Sequence, residues 1–112
     1  MFLHDADFIE RAQRYLHATP DNLRDKGDLV YNPDVRAFYS QWREAAVLFC
    51  VIEREGGLTT LLNMRPLHLK NHGGQIGFPG GKVEKTDEGP FATATREALE
   101  EVGLPPENVM PI

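Results

Sequence analysis

The stretch PFATATREALEEVGL, residues 90–104, constrains the fold most strongly because it has the pattern of one amphipathic helix with clear ends. Gly89-Pro90 suits the first turn of a helix, and Gly103 followed by Pro105 suits its end. We expect one side of this helix to pack against a sheet. Small or apolar residues recur three or four positions apart along that side: Phe91, Ala94, Thr95, Ala98, Leu99 and Val102.

The opposite side of the same helix carries three acids, Glu97, Glu100 and Glu101. At about 100° per residue they fall within an arc of roughly 100°. Like charges at this spacing destabilise a helix by a few tenths of a kcal/mol per pair, and a hard divalent cation such as Mg²⁺ or Mn²⁺ would offset that cost. Arg96 could pair with one carboxylate and fix its orientation. The alternative is an acidic helix face that is simply solvated.

The rest of the chain predicts short elements of both kinds, and therefore an α/β fold. An amphipathic helix is expected within residues 6–18. The apolar run AAVLFCVI should be a strand covered on both faces, and Glu55-Gly56-Gly57 should join it to the next strand as a hairpin. Pro79 and the Gly80-Gly81 pair should end the third. The three strands are expected at residues 45–52, 58–64 and 75–78, and a further strand should start in the final NVMPI.

Composition limits the partners and the compartment. The formal net charge of -5 argues against binding to nucleic acid or to an anionic membrane, since affinity for phosphate groups comes mainly from Lys and Arg. Cys50 is the only cysteine, so no internal disulfide can form. The longest apolar run, residues 45–52, is far shorter than the roughly 20 residues of a membrane span, and residues 1–8 do not resemble an export signal. We therefore expect a cytoplasmic protein.

Residues 63–85 depart from this acidic balance, since they hold one acid, Glu84, against four bases, Arg65, Lys70, Lys82 and Lys85. The segment favours a small anionic ligand. Arg65, Lys70 and His72 are candidates to contact phosphate, and plain solvation of these bases is the alternative. A zinc site on His68 and His72 is not favoured, because Gly73-Gly74 follows at once and no third ligand is evident.

Gly80-Gly81, the acids that follow and REALEEVGL together resemble the Nudix box, whose pattern is G-x5-E-x7-R-E-U-x-E-E-x-G-U with U apolar. The spacing before the helix is one residue longer here. Glu88 keeps seven residues before Arg96, whereas Asp87 keeps five after Gly81. The outer carboxylate of the pattern therefore falls on Asp87 or on Glu88. The tail matches at Arg96, Glu97, Ala98, Glu100, Glu101, Gly103 and Leu104.

A second motif points to one branch of this family. LLNMRPLHLKNHGGQIGFPGG, residues 61–81, is similar to the signature of the coenzyme A pyrophosphatase branch of the family, L-L-x-x-R-S-x-x-x-R-x-x-x-G-Q-x-x-F-P-G-G. Those enzymes also carry the one-residue extension, with Asp at the position of Asp87. Pro66 replaces the serine, and Lys70 replaces the second arginine, which keeps the charge but loses the bidentate fork.

The resemblance implies hydrolysis of the pyrophosphate bond of coenzyme A to 4'-phosphopantetheine and adenosine 3',5'-bisphosphate with Mg²⁺ or Mn²⁺. Glu97 and Glu101 are the first-choice metal ligands, and Glu100 is the third. One of them, first of all Glu97, could instead accept the proton of the attacking water. Gly80 and Gly81 are expected to let the backbone approach the diphosphate and the helix.

The resemblance also implies a Nudix-like α/β/α sandwich with a mixed sheet, in which further strands and a closing helix follow the box. Residues 1–112 are then a single domain, with the N-terminal helix and connection in residues 1–40 and the first part of the core in residues 41–112. We expect residues 1–112 to lack these later elements, and therefore the sheet to be incomplete. An open strand edge would favour self-association.

Two other functions stay open from the sequence. A different nucleoside diphosphate compound, such as ADP-ribose, NADH or a dinucleoside polyphosphate, would be hydrolysed faster than coenzyme A by a Nudix enzyme of another branch. A truncated, non-catalytic remnant that binds a metal, a nucleotide or a partner chain would fold without turning over any of these compounds.

Overall fold

The computed structural model of the protein describes residues 6–16, 43–71 and 73–112. Helix α1, Ala6–Leu16, belongs to one compact unit, and residues 43–111 belong to another. The single domain expected from the sequence stays a prediction, and most of its N-terminal connection lies outside the described residues. None of the helices in the described part of the chain is long and apolar enough to cross a membrane.

Helix α1 confirms the amphipathic helix predicted within residues 6–18. Ala12 is buried, with 8% of its surface exposed. Two i,i+4 ion pairs lie in solvent on the exposed side and contribute a few tenths of a kcal/mol each. They join Arg11 to Asp7 at 3.4 Å and Arg14 to Glu10 at 3.3 Å.

The described residues contain six short strands that pair in three antiparallel two-stranded ribbons. They are β1 Ala45–Val47, β2 Val51–Arg54, β3 Gly57–Thr60, β4 Asn63–Met64, β5 Ile76–Gly77 and β6 Gly80–Lys82. β1 pairs with β6, β2 with β3, and β4 with β5. The first pairing sets Ala46 opposite Gly81 and so places the glycine pair beside β1.

The prediction of one strand at residues 45–52, covered on both faces, is wrong. The run divides into β1 and the start of β2, because β1 pairs with β6 while β2 pairs with β3. The chain changes partner through residues 48–50, where the Leu48 N–H donates to Pro79 O at 2.7 Å. Leu48 is buried, but Val47 and Phe49 are 63% and 57% exposed.

The predicted hairpin is confirmed, with Glu55-Gly56 as the loop between β2 and β3. Gly57 has a φ of 124°, a conformation that favours glycine. The second strand is shorter than predicted. It ends at Thr60, and the following residues leave the hairpin so that Asn63 and Met64 form β4 with β5 as partner.

The Gly80-Gly81 pair begins a strand, whereas the sequence predicted that it ends one. The predicted third strand at residues 75–78 is confirmed only at its centre, as β5. A Cβ on Gly80 would collide with the backbone of Ala46 and Val47, so this glycine allows β6 to approach β1 closely.

Helix α2, Pro90–Val102, has the ends that the sequence predicts. Pro90 occupies the first turn, where the missing N–H costs no intrahelical hydrogen bond. Gly103 follows with a left-handed φ of 70°. The Leu104 N–H then donates back to Ala98 O at 3.3 Å, which closes the last turn.

The core of the larger unit lies where α2 packs against β1 and β6. Small residues, Ala94 and Ala98, let the helix lie close to the glycine-rich strand. The predicted apolar stripe is only partly correct, because Phe91 in the first turn and Leu99 at the edge of the stripe are 44% and 46% exposed. The core comprises Leu48, Ala94 and Ala98, surrounded by Ala46, Cys50, Val102, Leu104 and Val109.

The residues after α2 form a short 3-10 helix, Pro106–Asn108, and the strand predicted from NVMPI is absent from the described structure. A strand needs a partner for its hydrogen bonds, and residues 109–112 pair with no described strand. Val109 instead packs against the core. The combination of helices and short antiparallel strands confirms the α/β class.

Candidate active site

The three glutamates of α2 lie outside its core face, but their environments differ. The Glu97 side chain is 17% exposed and that of Glu100 is 57% exposed. Glu97 lies directly against β6, since a methyl group on Gly81 would overlap its carboxylate. The strand thus approaches the helix as the sequence predicted for Gly81, and the absence of a side chain there gives the Glu97 carboxylate its place.

Arg96 links the start of this acidic face to the loop before the helix. Its guanidinium forms a fork on Asp87, with Nε to Oδ1 at 3.0 Å and Nη2 to Oδ2 at 2.9 Å. Nη2 also donates to the Lys82 carbonyl at 2.9 Å, and Nη1 contacts Glu97 Oε1 at 3.0 Å and Glu100 Oε1 at 3.4 Å. One side chain therefore holds the loop, the strand and two carboxylates together.

Asp87 is the buried end of this network, with 5% of its side chain exposed. Besides Arg96, the Thr93 hydroxyl and the Glu84 backbone N–H donate to its Oδ2, each at 2.9 Å. The hydrogen bond from Arg96, followed by the one from Glu84, holds the pKa of the Asp87 carboxyl well below its usual range. The same pair raises the pKa of Arg96. Both groups therefore stay charged throughout the physiological range.

These contacts distinguish the two candidates for the outer acid. Asp87 contacts Arg96, whereas Glu88 is exposed. Because four hydrogen bonds already use both Asp87 oxygens, Asp87 acts in this arrangement as the anchor of Arg96 rather than as a ligand for a cation.

Glu101 has a different partner from the other two glutamates. The Asn63 side-chain Nδ2, on β4, donates to Glu101 Oε2 across 38 positions of sequence. In the described part of the chain Glu101 has no ion pair, whereas Glu97 and Glu100 both contact Arg96. Glu101 is thus the glutamate of this face whose charge is least compensated.

A cavity of about 520 Å³ opens beside Glu101, between α2 and the β4–β5 ribbon. It brings together parts of both sequence motifs, since Glu100 and Glu101 come from the box and Arg65 from the segment at residues 61–81. Its polar lining is Asn63, Arg65, Gln75, Glu100 and Glu101, and its apolar lining includes Met64, Leu69, Ile76 and Phe78.

The other residues predicted to bind substrate have packing contacts of their own or do not line the cavity. Gly80 lines the cavity but packs closely on β1, and Gly81 packs on Glu97. Lys70 is exposed in the turn between β4 and β5 and does not line the cavity. His72 lies outside the described residues.

Asn63, Gln75 and Thr93 are site residues that sequence reasoning missed. The sequence could have indicated Gln75, since this residue occupies a specified position of the longer signature. Asn63 falls on an unspecified position of that motif, and Thr93 belongs neither to the specified positions of the motifs nor to the predicted apolar stripe, so no local signal marked it.

The donor set suits a hard divalent cation, although the carboxylates do not converge. Carboxylate oxygens are ligands that Mg²⁺ and Mn²⁺ prefer, and Glu97 and Glu101 stand one helical turn apart. Within the described ranges, no three Asp, Glu, His or Cys side chains are grouped closely enough to hold a metal ion. Arg96 and Asn63 engage the carboxylates instead. A cation bound by these residues would therefore compete with Arg96.

Comparison with known proteins agrees with the motifs. The model of the NUDIX domain matches residues 42–112, more than half of the chain, and the chain therefore belongs to the Nudix family. Nudix hydrolases generally use divalent metal ions such as Mg²⁺ or Mn²⁺ and act on small-molecule diphosphates. The finer assignment to the coenzyme A branch stays a prediction.

Two relatives illustrate the similarity. The chain is 41% identical over 96 residues to an uncharacterized Nudix hydrolase NudL of Escherichia fergusonii, an overlap that covers 85% of this chain and 48% of that protein. It is 52% identical over 68 residues to an uncharacterized NudL of Salmonella paratyphi B, covering 60% and 34% respectively. The chain thus spans about half the length of the curated relatives it matches.

Proposed function

We propose that this chain belongs to a metal-dependent hydrolase of coenzyme A, or of a coenzyme A derivative, that releases 4'-phosphopantetheine and adenosine 3',5'-bisphosphate. The observation that carries the proposal is the shared cavity. Glu100 and Glu101 of the box line it together with Arg65 and Gln75, which occupy specified positions of the longer signature. A diphosphate bound there would contact acidic and basic groups at once.

The reaction needs charge neutralisation, because the negative charges of a diphosphate repel an incoming nucleophile. A divalent cation supplies that neutralisation when bound and also acidifies a water. Glu97 and Glu101 are the residues that would hold it, with Glu100 as the third. One of them, first of all Glu97, would accept the proton of the attacking water. Arg96 donates to Glu97 and, anchored by Asp87, keeps that carboxylate in a fixed orientation.

The opposite wall of the cavity supplies substrate contacts. Arg65 is exposed and has no ion pair among the described residues, so its guanidinium is available to a phosphate. We also keep, as part of this proposal, the prediction that Lys70 and His72 contact a phosphate of the substrate. Met64, Ile76 and Phe78 give this wall apolar surface, which suits an uncharged pantetheine arm or a base. Cytoplasmic location and self-association stay predictions.

A substrate panel tests the proposal. The 112-residue chain is incubated with Mn²⁺ and, separately, coenzyme A, ADP-ribose, NADH and a dinucleoside polyphosphate, and the products are identified by mass. Coenzyme A should be cleaved fastest and yield 4'-phosphopantetheine. Arg65→Gln should raise KM for coenzyme A, whereas Lys85→Gln, which removes a base outside the cavity, should not.

The other outcomes separate the alternatives. Faster cleavage of another compound would assign the chain to a different branch of the family and refute the coenzyme A proposal. A folded chain that binds Mn²⁺ and cleaves none of the compounds would refute hydrolysis by this chain and favour a binding module.

A further inference from the structure

Asn63 stands at the junction of the two elements that form the cavity. It lies on β4 opposite Gly77 of β5, and its half-buried side chain crosses to α2, where Nδ2 donates to Glu101 Oε2. Both residues line the cavity. The hydrogen bond therefore joins a sheet residue directly to a proposed cation ligand.

We propose that Asn63 is a positioning residue for Glu101: its amide holds one carboxylate oxygen and leaves the other available to a cation. This inference rests on the proposed metal-dependent function. A glutamate on a helix surface has several free side-chain torsions, and fixing them costs up to about 2 kcal/mol of entropy. A hydrogen bond made before the cation arrives removes part of that cost from the binding step.

The chemistry of the partner matters as much as its position. Arg96 orients Glu97 and Glu100 with a positive charge, so a divalent cation that binds these two carboxylates has to compete with the guanidinium. Asn63 orients Glu101 with a neutral amide, so the full negative charge of Glu101 remains available. The proposed ligands therefore differ: a cation would have to compete with Arg96 at Glu97 and Glu100, whereas no ion pair within the described residues opposes it at Glu101.

The test measures Mn²⁺ affinity, from the electron paramagnetic resonance signal of free Mn²⁺, on the whole 112-residue chain. Asn63→Leu removes the donor at similar volume, and Asn63→Ala removes it with less bulk. Each variant should bind Mn²⁺ about 10-fold more weakly, the usual cost of losing a group that orients a metal ligand. Asn108→Ala, at an exposed asparagine outside the cavity lining, should bind like the wild type.

A double-mutant cycle separates positioning from a general structural effect. If Asn63 acts through Glu101, Asn63→Leu should weaken Mn²⁺ binding in the wild type but cause no further loss in Glu101→Gln. Equal losses in both backgrounds would overturn the inference. An affinity within about 2-fold of the wild type in a folded Asn63→Leu chain would overturn it as well.

Two further results have defined meanings. Unfolding of both Asn63 variants, seen by circular dichroism, would overturn the inference by showing that Asn63 is required for the fold itself. If Glu101→Gln leaves Mn²⁺ affinity unchanged, the proposed metal site is wrong. If Glu101→Gln weakens binding and neither Asn63 variant does, only the role of Asn63 is wrong.

Discussion

Alanine substitutions at the two adjacent glycines of β6 should separate folding from function. The three atoms nearest to a Cβ at Gly81 would all belong to the carboxylate of Glu97, the far end of a flexible side chain that can move aside. A Cβ at Gly80 would meet the backbone of Ala46 and Val47, which cannot move without displacing β1. Gly81→Ala should therefore displace a proposed metal ligand, and Gly80→Ala should disrupt the sheet.

The expected magnitudes follow from these contacts. Gly81 does not have a positive φ, so alanine fits its backbone, and the smaller entropy of the unfolded chain offsets part of the crowding. The free energy of unfolding of Gly81→Ala should stay within about 1 kcal/mol of the wild type. Gly80→Ala should lose about 1–3 kcal/mol through overpacking, with Tm lower by about 5 °C or more.

Two assays on each variant test this reasoning. Thermal unfolding followed by circular dichroism gives Tm, and Mn²⁺ titration gives the dissociation constant. Gly81→Ala should keep its Tm within about 5 °C of the wild type but bind Mn²⁺ about 10-fold more weakly, because displaced ligands lose affinity on this scale. A Gly81→Ala chain that binds Mn²⁺ like the wild type would refute the dependence of the site on the Glu97 position. A Gly80→Ala chain with unchanged Tm would refute the packing account of β6.

Substitutions at three further positions probe the network and the core. Thr93→Val should lower Tm by several °C because it removes a buried donor to Asp87, and Thr93→Ser should restore it. Asp87→Asn should lower Tm at pH 7. As the pH is lowered below about 4, the Tm of this variant should fall less steeply than that of the wild type. The depressed Asp87 pKa means that the Arg96 pair stabilises fully above the ordinary carboxyl pKa of about 4 and is lost as pH falls below it. Leu48→Ala should cost about 2–5 kcal/mol in urea unfolding, since Leu48 is the largest side chain of the buried core.

Local features of the sequence were sufficient for α2 and its acidic face. The ends of α2 depend on Pro90 and Gly103, and the helical repeat determines which residues lie on the same side. The same is true of α1 and of the two-residue loop between β2 and β3. In each case the deciding interactions lie within a few positions of one another.

Features that depend on distant partners could not be predicted from the sequence. The run at residues 45–52 has the composition of one strand, but its division follows from which strands it pairs with. The Asn63–Glu101 contact spans 38 positions and involves a motif position of unspecified type. The spacing of the box left Asp87 and Glu88 equivalent, and the contact of Asp87 with Arg96 distinguishes them.

The proposal that the acidic face of α2 is a hydrolytic centre is tested most directly by the initial rate of coenzyme A hydrolysis with Mn²⁺, followed by mass. The wild type should release 4'-phosphopantetheine, and Glu97→Gln should do so at least about 100-fold more slowly. The exposed Glu107, in the 3-10 helix outside the cavity lining, gives the matched control Glu107→Gln, which should equal the wild type. Equal rates in Glu97→Gln and the wild type would contradict the assignment of this face as the catalytic centre.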